Sequence, residues 1–241
     1  MRHLKSMLIP HDSPLRTLPE SLDRRSVLFL DGIRYAIQIF DLASSRLGGT
    51  LHQLSQIKEN SPELADGISS AIADAWTMID STHRLRELLE QLPGLKKKEP
   101  ALQLFLKRTS KVEDLRNFFQ HFRNEIDTFT ELGLPLWGTL SWVYTDRETG
   151  RSQQYSIAPG TFFDGVGIHS CTYDRFHHKF VERVLFQAGT ERIDLADLND
   201  WMTDFVEWYS EWFRVRFDGT ERYISDVRFK ISFHAKEGTT S

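Results

Sequence analysis

The sequence predicts an α+β fold: a core of long helices with a small antiparallel sheet inserted before the last of them. Three observations carry this. Apolar residues recur with a period near 3.6 through most of residues 21–130. After Pro135 the period drops to about 2, in a run rich in Trp, Leu, Val and Tyr. A helical period then returns from Asp197 to about Arg216.

Residues 1–19 hold Pro10, Pro14 and Pro19 without periodicity and read as an extended arm lying on the surface. Ser21 to Leu47 is the first helix, with Ser21 or Asp23 as its cap and Gly48-Gly49 as its stop. Leu30, Ile33, Ile37 and Phe40 form its core stripe. Leu28, Phe29, Tyr35 and Ile39 extend the apolar surface most of the way round, the pattern of a helix that is central or has two partners. Pro62 opens a second helix that stops at Pro93-Gly94, with Asp80 and His83 interrupting its apolar side. Pro100 opens a third helical stretch, to about Thr130, ended by Gly133 and Pro135.

Leu136–Thr145 and Gln153–Ile157 read as a hairpin around a turn at residues 146–150, and Gly160, Gly165 and Gly167 mark a loop. Phe180–Gln187 and Glu191–Ile193 form a second hairpin. Asp197 to Arg216 is the fourth helix, and the alternation of Tyr223, Val227, Phe229, Ile231 and Phe233 predicts a strand over Arg222–His234. The organisation is an arm (1–19), a helical core (20–133), a β-rich insert (134–193) and a last helix with a terminal strand (194–241), together one compact domain.

Composition bounds the function. With 241 residues, 40% apolar and 27% charged, the chain is neither disordered nor a disulfide-built miniprotein. A net charge of −4 argues against a protein that coats nucleic acid non-specifically. Cys171, alone in the sequence, can form no internal disulfide and suits a reducing compartment. No run approaches the roughly 18 apolar residues of a membrane span. Met7-Leu8-Ile9 is too short for a secretory signal, which needs about 7–15 apolar residues. The expectation is a cytoplasmic protein with no membrane partner.

The segment from Val112 is the most informative. With Leu115 at 0° and a step of about 100° per residue, Leu115, Phe118, Phe119, Phe122, Ile126 and Phe129 fall on one narrow stripe. Arg116, Asn117, Gln120, His121, Arg123 and Asn124 lie on the other side. Asn117 and His121 are one turn apart, so the amide can orient the imidazole. Arg116 and His121 sit about 140° apart and can converge on a ligand from two sides, or be completed by a second subunit. Histidine exchanges a proton near neutral pH, and arginine binds phosphate through paired donors. The two suit transesterification of an RNA phosphodiester, in which the 2′-OH attacks its own phosphate. From Lys96 to Arg123, eight Lys/Arg against three acids leave a local charge of +5, so the rest of the chain carries −9. Such a patch can steer a polyanion, with Lys107, Arg108, Lys111, Gln120 and Arg123 as the RNA-contacting set. The same residues also describe an ordinary solvated helix face.

Arg116-Asn117-Phe118-Phe119-Gln120-His121 resembles the signature of the HEPN superfamily: an Arg, a polar residue, and a His after four to six intervening positions on a helix of an α-helical bundle. The resemblance covers about residues 20–133 and 194–217. It implies a HEPN-like antiparallel bundle, a metal-independent endoribonuclease without cofactor, and a homodimer whose motif helices share a cleft. Arg116 and His121 would be catalytic and Asn117 supportive. It further implies RNA as substrate, a role in defence, toxin–antitoxin or RNA-processing systems, and a protein inhibitor or partner. In one toxin branch a Tyr follows the His by two positions; here Arg123 stands there, and the insert at 134–193 lies outside the minimal bundle. Some members are instead non-catalytic nucleotide-binding or protein-interaction modules, the alternative reading.

Other groups carry weaker signals. His169, Cys171, Asp174, His177 and His178 lack the paired spacing of structural zinc sites, so no metal is expected. Asp80 and His83 fit a partly buried histidine or a supporting group of the cleft, and Arg84 or Arg86 adds positive charge. Trp201, Phe205, Trp208, Tyr209 and Trp212 follow helical spacing and read as core or dimer interface rather than a base-stacking platform.

Overall fold

The computed structural model describes residues 7–58, 61–146, 148–160, 167–224 and 226–231. Helices and an antiparallel four-stranded sheet make an α+β fold.

A 3-10 turn at Pro14–Arg16 and strand β1 (Thr17–Pro19) precede the first helix. Ile9, Leu15 and Leu18 are buried here, so this segment supplies core side chains instead of lying on the surface. Helix α1 (Arg24–Leu54) starts where the Asp23 carboxylate accepts from the Arg25 and Ser26 amides. It runs straight through Gly48-Gly49, the expected stop. Two helix-interior glycines cost about 2 kcal/mol against alanine, but Leu47, Leu51 and Leu54 are buried around and beyond them. That burial outweighs the propensity term. Helix α2 (Glu63–Gln91) returns antiparallel, starting behind Pro62. Close approaches mark the pairing at both ends. A Cβ on Gly32 would meet Leu88 at 3.1 Å, and one on Gly67 would meet Leu54 at 2.7 Å.

The third helical stretch is three helices, not one: α3 (Pro100–Arg108), α4 (Lys111–Gln120) and α5 (Phe122–Leu132). The first break falls at Thr109-Ser110 and the second at His121, whose backbone (φ −105°, ψ 14°) departs from helix. Gly133 closes α5 in the left-handed conformation, φ 62°.

Strands β2 (Thr139–Thr145) and β3 (Ser152–Ile157) form the first hairpin, as the alternation predicts. The expected strand over Phe180–Gln187 is divided. Lys179–Phe180 (β5) pairs with Tyr173–Asp174 (β4) in a small separate ribbon, while Val184–Ala188 (β6) joins the main sheet with Glu191–Asp194 (β7). The sheet order is β3-β2-β6-β7, all antiparallel, with Leu140 facing Ile157 on one side and Phe186 on the other. Trp142 donates its indole N–H to Ser55 Oγ at 2.9 Å and ties the sheet to the end of α1.

Helix α6 (Leu195–Arg216) begins where Asp194 accepts from Ala196 N at 2.7 Å. Of its aromatics, Phe205, Tyr209 and Phe213 are buried in the core, Trp201, Trp208 and Trp212 are half-buried against it, and Phe105 of α3 stacks on Phe205 at 4.4 Å. The last strand, β8 (Arg222–Ile224), pairs antiparallel with β1 and is shorter than the alternation predicts. Residues 226–231 are not strand, and 232–234 lie outside the described residues. Among the described residues no helix is long and apolar enough to cross a membrane.

Candidate active site

Helix α4 carries Arg116–Gln120 of the Arg-x4-His segment, with His121 just past its end, and two sets of contacts place the helix. At its N-terminal end the anchor is Arg86, buried on α2. Arg86 donates from Nη1 to Thr109 Oγ1 (2.7 Å) and to the Leu106 carbonyl, and from Nη2 to Glu113 Oε1 (2.8 Å). One guanidinium thus fixes the α3–α4 turn and the first turn of α4 to α2. Val112 and Leu115 are fully buried beside it. The suggestion that Arg86 contributes positive charge to a cleft gives way to this: its charge is used internally.

At the C-terminal end aromatic contacts take over. Trp76 of α2 lies 4.4 Å from Phe119, centroid to centroid, and 5.0 Å edge-on from Phe186. Its indole N–H donates to the Trp137 carbonyl at 3.1 Å. Phe118 packs on Phe129 at 4.9 Å and over the β6–β7 turn, where a Cβ on Gly189 would sit 2.4 Å from the Phe118 ring. Gly189 also has φ +56°, so both backbone and space call for glycine.

Between these grips stand the polar residues. Arg116 is half-buried and donates from Nη1 to Gln120 Oε1 at 2.7 Å. Asn117, Gln120, His121 and Arg123 are exposed. Asn117 meets His121 through the main chain, its carbonyl accepting the His121 N–H at 3.1 Å. Among the described residues no hydrogen bond joins their side chains. His121 sits at the interruption between α4 and α5, so its ring is carried on a joint. The apolar stripe does not survive that joint intact, for Ile126 is exposed while Phe129 is buried.

The basic stretch is partly neutralised. Arg108 pairs with Asp204 of α6 at 3.2 Å, and Lys111 with Glu191 at 2.9 Å and Asp114 at 3.4 Å. Glu191 beside Lys111 holds that ammonium above its ordinary range. Lys107 and Arg123 are exposed and form no ion pair among the described residues. The cation density seen in sequence is therefore higher than the net charge α4 offers a ligand.

On α2, Asp80 accepts from Arg84 at 2.7 Å. His83 is buried, its Nε2 3.4 Å from Glu87 Oε1, yet neither ring nitrogen has a well-aligned hydrogen-bond partner. The antiparallel pairing of Arg86 with Glu113 and of Trp76 with Phe119 sets His83 opposite the middle of α4.

Elsewhere, Cys171 is buried and donates to the Ser141 carbonyl at 3.3 Å. Burial pushes its thiol up to about 11, which makes it a poor nucleophile at neutral pH. His177 Nδ1 lies 2.6 Å from Asp174, and His169 Nδ1 3.4 Å from Arg192. Among the described residues no three His, Cys, Asp or Glu side chains gather as a metal site. Gly165 lies outside the described residues. A groove of about 740 Å³ opens between α1 and α2, and neither Arg116 nor His121 lines it.

Comparisons with protein-family models, with curated proteins and with solved structures each return no match for this chain.

Proposed function

We propose that this chain is a HEPN-like endoribonuclease that cleaves single-stranded RNA by 2′-OH transesterification. The observation that carries the reading is the placement of Arg116 and His121. Arg116, half-buried, lies on α4, and His121, exposed, stands five residues on at the C-terminal end of that helix, which is gripped by α2 and the sheet.

In this reading the Arg116 guanidinium, steadied by Gln120, takes a non-bridging phosphate oxygen and balances charge as the phosphorane forms. His121 accepts the 2′-OH proton. The 2′ oxygen bonds to phosphorus, the bond from phosphorus to the 5′ oxygen breaks, and that oxygen leaves with a proton supplied by solvent or by a second imidazole. The products are a 2′,3′-cyclic phosphate and a 5′-hydroxyl. No step requires a metal or cofactor. A homodimer that faces two copies of α4 across one cleft would supply the second Arg–His pair. Lys107 and Arg123, exposed and without an ion pair among the described residues, are the cations assigned to the flanking backbone.

The test is cleavage of single-stranded RNA in EDTA by wild type, His121→Ala and Arg116→Ala. Wild type is expected to yield cyclic-phosphate ends, and each variant to lose about 100-fold or more, the usual scale for one general base or one charge-stabilising donor. Inactive wild type, or variants that cut equally well, removes the reading and leaves a non-catalytic nucleotide-binding or protein-interaction module.

A further inference from the structure

The groove between α1 and α2 is apolar along its walls, with Phe29, Tyr35 and Ile39 on one side and Trp76 and Leu88 on the other. Its α2 rim carries Asp80 and Glu87. Arg84 and Asp80 are paired with each other, so Glu87 supplies the rim's surplus negative charge. The outer edge of α1 continues the apolar surface through Leu28, Tyr35, Ile39 and Leu42, all exposed. This stripe is the second face that the sequence of α1 predicted and for which the described body has no partner.

The segment that arrives at this place is the chain's own. Beyond β8, Asp226 reaches α1 and accepts from Arg34 Nη1 (3.0 Å), Arg34 Nη2 (2.6 Å) and Tyr35 Oη (2.9 Å). Arg34 is buried, with a side chain only 3% exposed, so this is an anchor set into the protein. The Arg34 and Tyr35 bonds hold the Asp226 carboxyl down to about 2, ionised at any ordinary pH. Tyr35 is also a wall of the groove, so the residue after Asp226 starts at the groove's rim.

The chain continues from this anchor as Val227-Arg228-Phe229-Lys230-Ile231. Its three apolar side chains are 70%, 85% and 74% exposed, an unusual amount of unburied Val, Phe and Ile in five residues. In extended backbone they share one face, and the two cations share the other. The five residues reach about 16 Å at 3.3 Å each. From Tyr35, beside the anchor, the α1 wall runs about 9 Å to Phe29 and about 6 Å to Ile39 at 1.5 Å per residue, within that reach in either direction.

We propose that Val227–Ile231, exposed in this structure, is a strap poised to close onto the α1–α2 groove of its own chain, bringing Val227, Phe229 and Ile231 to the aromatic walls and Arg228 and Lys230 towards the acidic rim. The tether argues for the same chain over a second copy. A short segment fixed at the rim faces the groove at an effective concentration in the millimolar range, which a free partner at micromolar levels does not match. The strap is independent of the ribonuclease reading.

Two measurements on the full chain test it. In a Cys171→Ala background, Phe229→Cys is combined with Ser81→Cys and the dilute protein is oxidised. An intramolecular bridge mapped by peptide mass is expected; no bridge, or bridges only between chains, overturns the proposal. Trypsin cleavage after Arg228 and Lys230 gives the second. Wild type is expected to be cut about ten-fold or more slowly relative to the Phe229→Ser/Ile231→Ser variant, after correction for the rates of the same sequences as free peptides. Equal rates overturn it. The variant removes only side chains that are exposed in the structure, so its body folds, and an unchanged thermal melt verifies this.

Discussion

The two ends of α4 are held by different physics. The N-terminal end is pinned by one buried guanidinium with three partners and by fully buried Val112 and Leu115. The C-terminal end rests on ring contacts of half-buried Phe118 and Phe119, then gives way at His121. Directional bonds at one end fix register; less directional ring packing at the other tolerates small rotations. The proposed catalytic pair straddles this gradient. Arg116 belongs to the fixed part and His121 to the joint, so of the two groups the proposed reading assigns to phosphate and to proton transfer, only the first lies within the helix.

The most damaging way to break the contrast is Arg86→Met. It strips Thr109, the Leu106 carbonyl and Glu113 of their shared donor. Removing one partner from a buried charged network costs about 3 kcal/mol. Urea unfolding should show that loss, with α3 and α4 amides exchanging faster than those of α1. A loss below about 1 kcal/mol would mean that packing alone holds this end.

Next in size is Phe119→Ala. It removes a ring packed at a tilt against Trp76 and near Trp137, and about 2 kcal/mol is expected for a half-buried phenylalanine, less than the roughly 3–5 of a fully buried one. Gly189→Ala attacks the same end from the sheet. The new Cβ meets the Phe118 ring on a backbone with φ +56°, and about 1–2 kcal/mol should be lost. If Gly189→Ala proved neutral, Phe118 would have to be able to leave its seat, and the C-terminal end of α4 would be looser than its contacts indicate.

How much of this was legible in the sequence differs residue by residue. The α+β order, Asp23 as one of two cap candidates, the β2–β3 hairpin and the stop at Gly133 follow from local rules, and local rules suffice where an element's ends are set by its own residues. The Gly48-Gly49 stop failed because burial further along α1 outweighed a local penalty. The break at His121 had no signal: the phenylalanine period runs unbroken through it, with no Gly or Pro nearby. Arg86 did leave one. Ala75, Ile79, Thr82, Arg86 and Leu89 fall within about 80° on α2, so its position on the core stripe was there to be read, although its partners on α3 and α4 were not. Arg34 is a similar case, on the buried side of α1 with a partner 192 residues away that no periodicity could reveal.

The smallest stability effect belongs to the residue on which the proposed chemistry depends most. His121 is exposed, lies outside both helices and, among the described residues, bonds others only through its backbone. His121→Ala should therefore shift unfolding by less than about 0.5 kcal/mol, the range of an uninvolved surface site. Arg116→Ala should cost slightly more, because the bond to Gln120 and a half-buried stem go with it. A pair of substitutions that leaves urea curves nearly superposed while RNA cleavage falls about 100-fold separates a catalytic role from a structural one. If His121→Ala instead destabilised the chain by about 2 kcal/mol, a size that needs a specific structural cause, the ring would be serving the α4–α5 junction, and its exposure would no longer support a proton-transfer role.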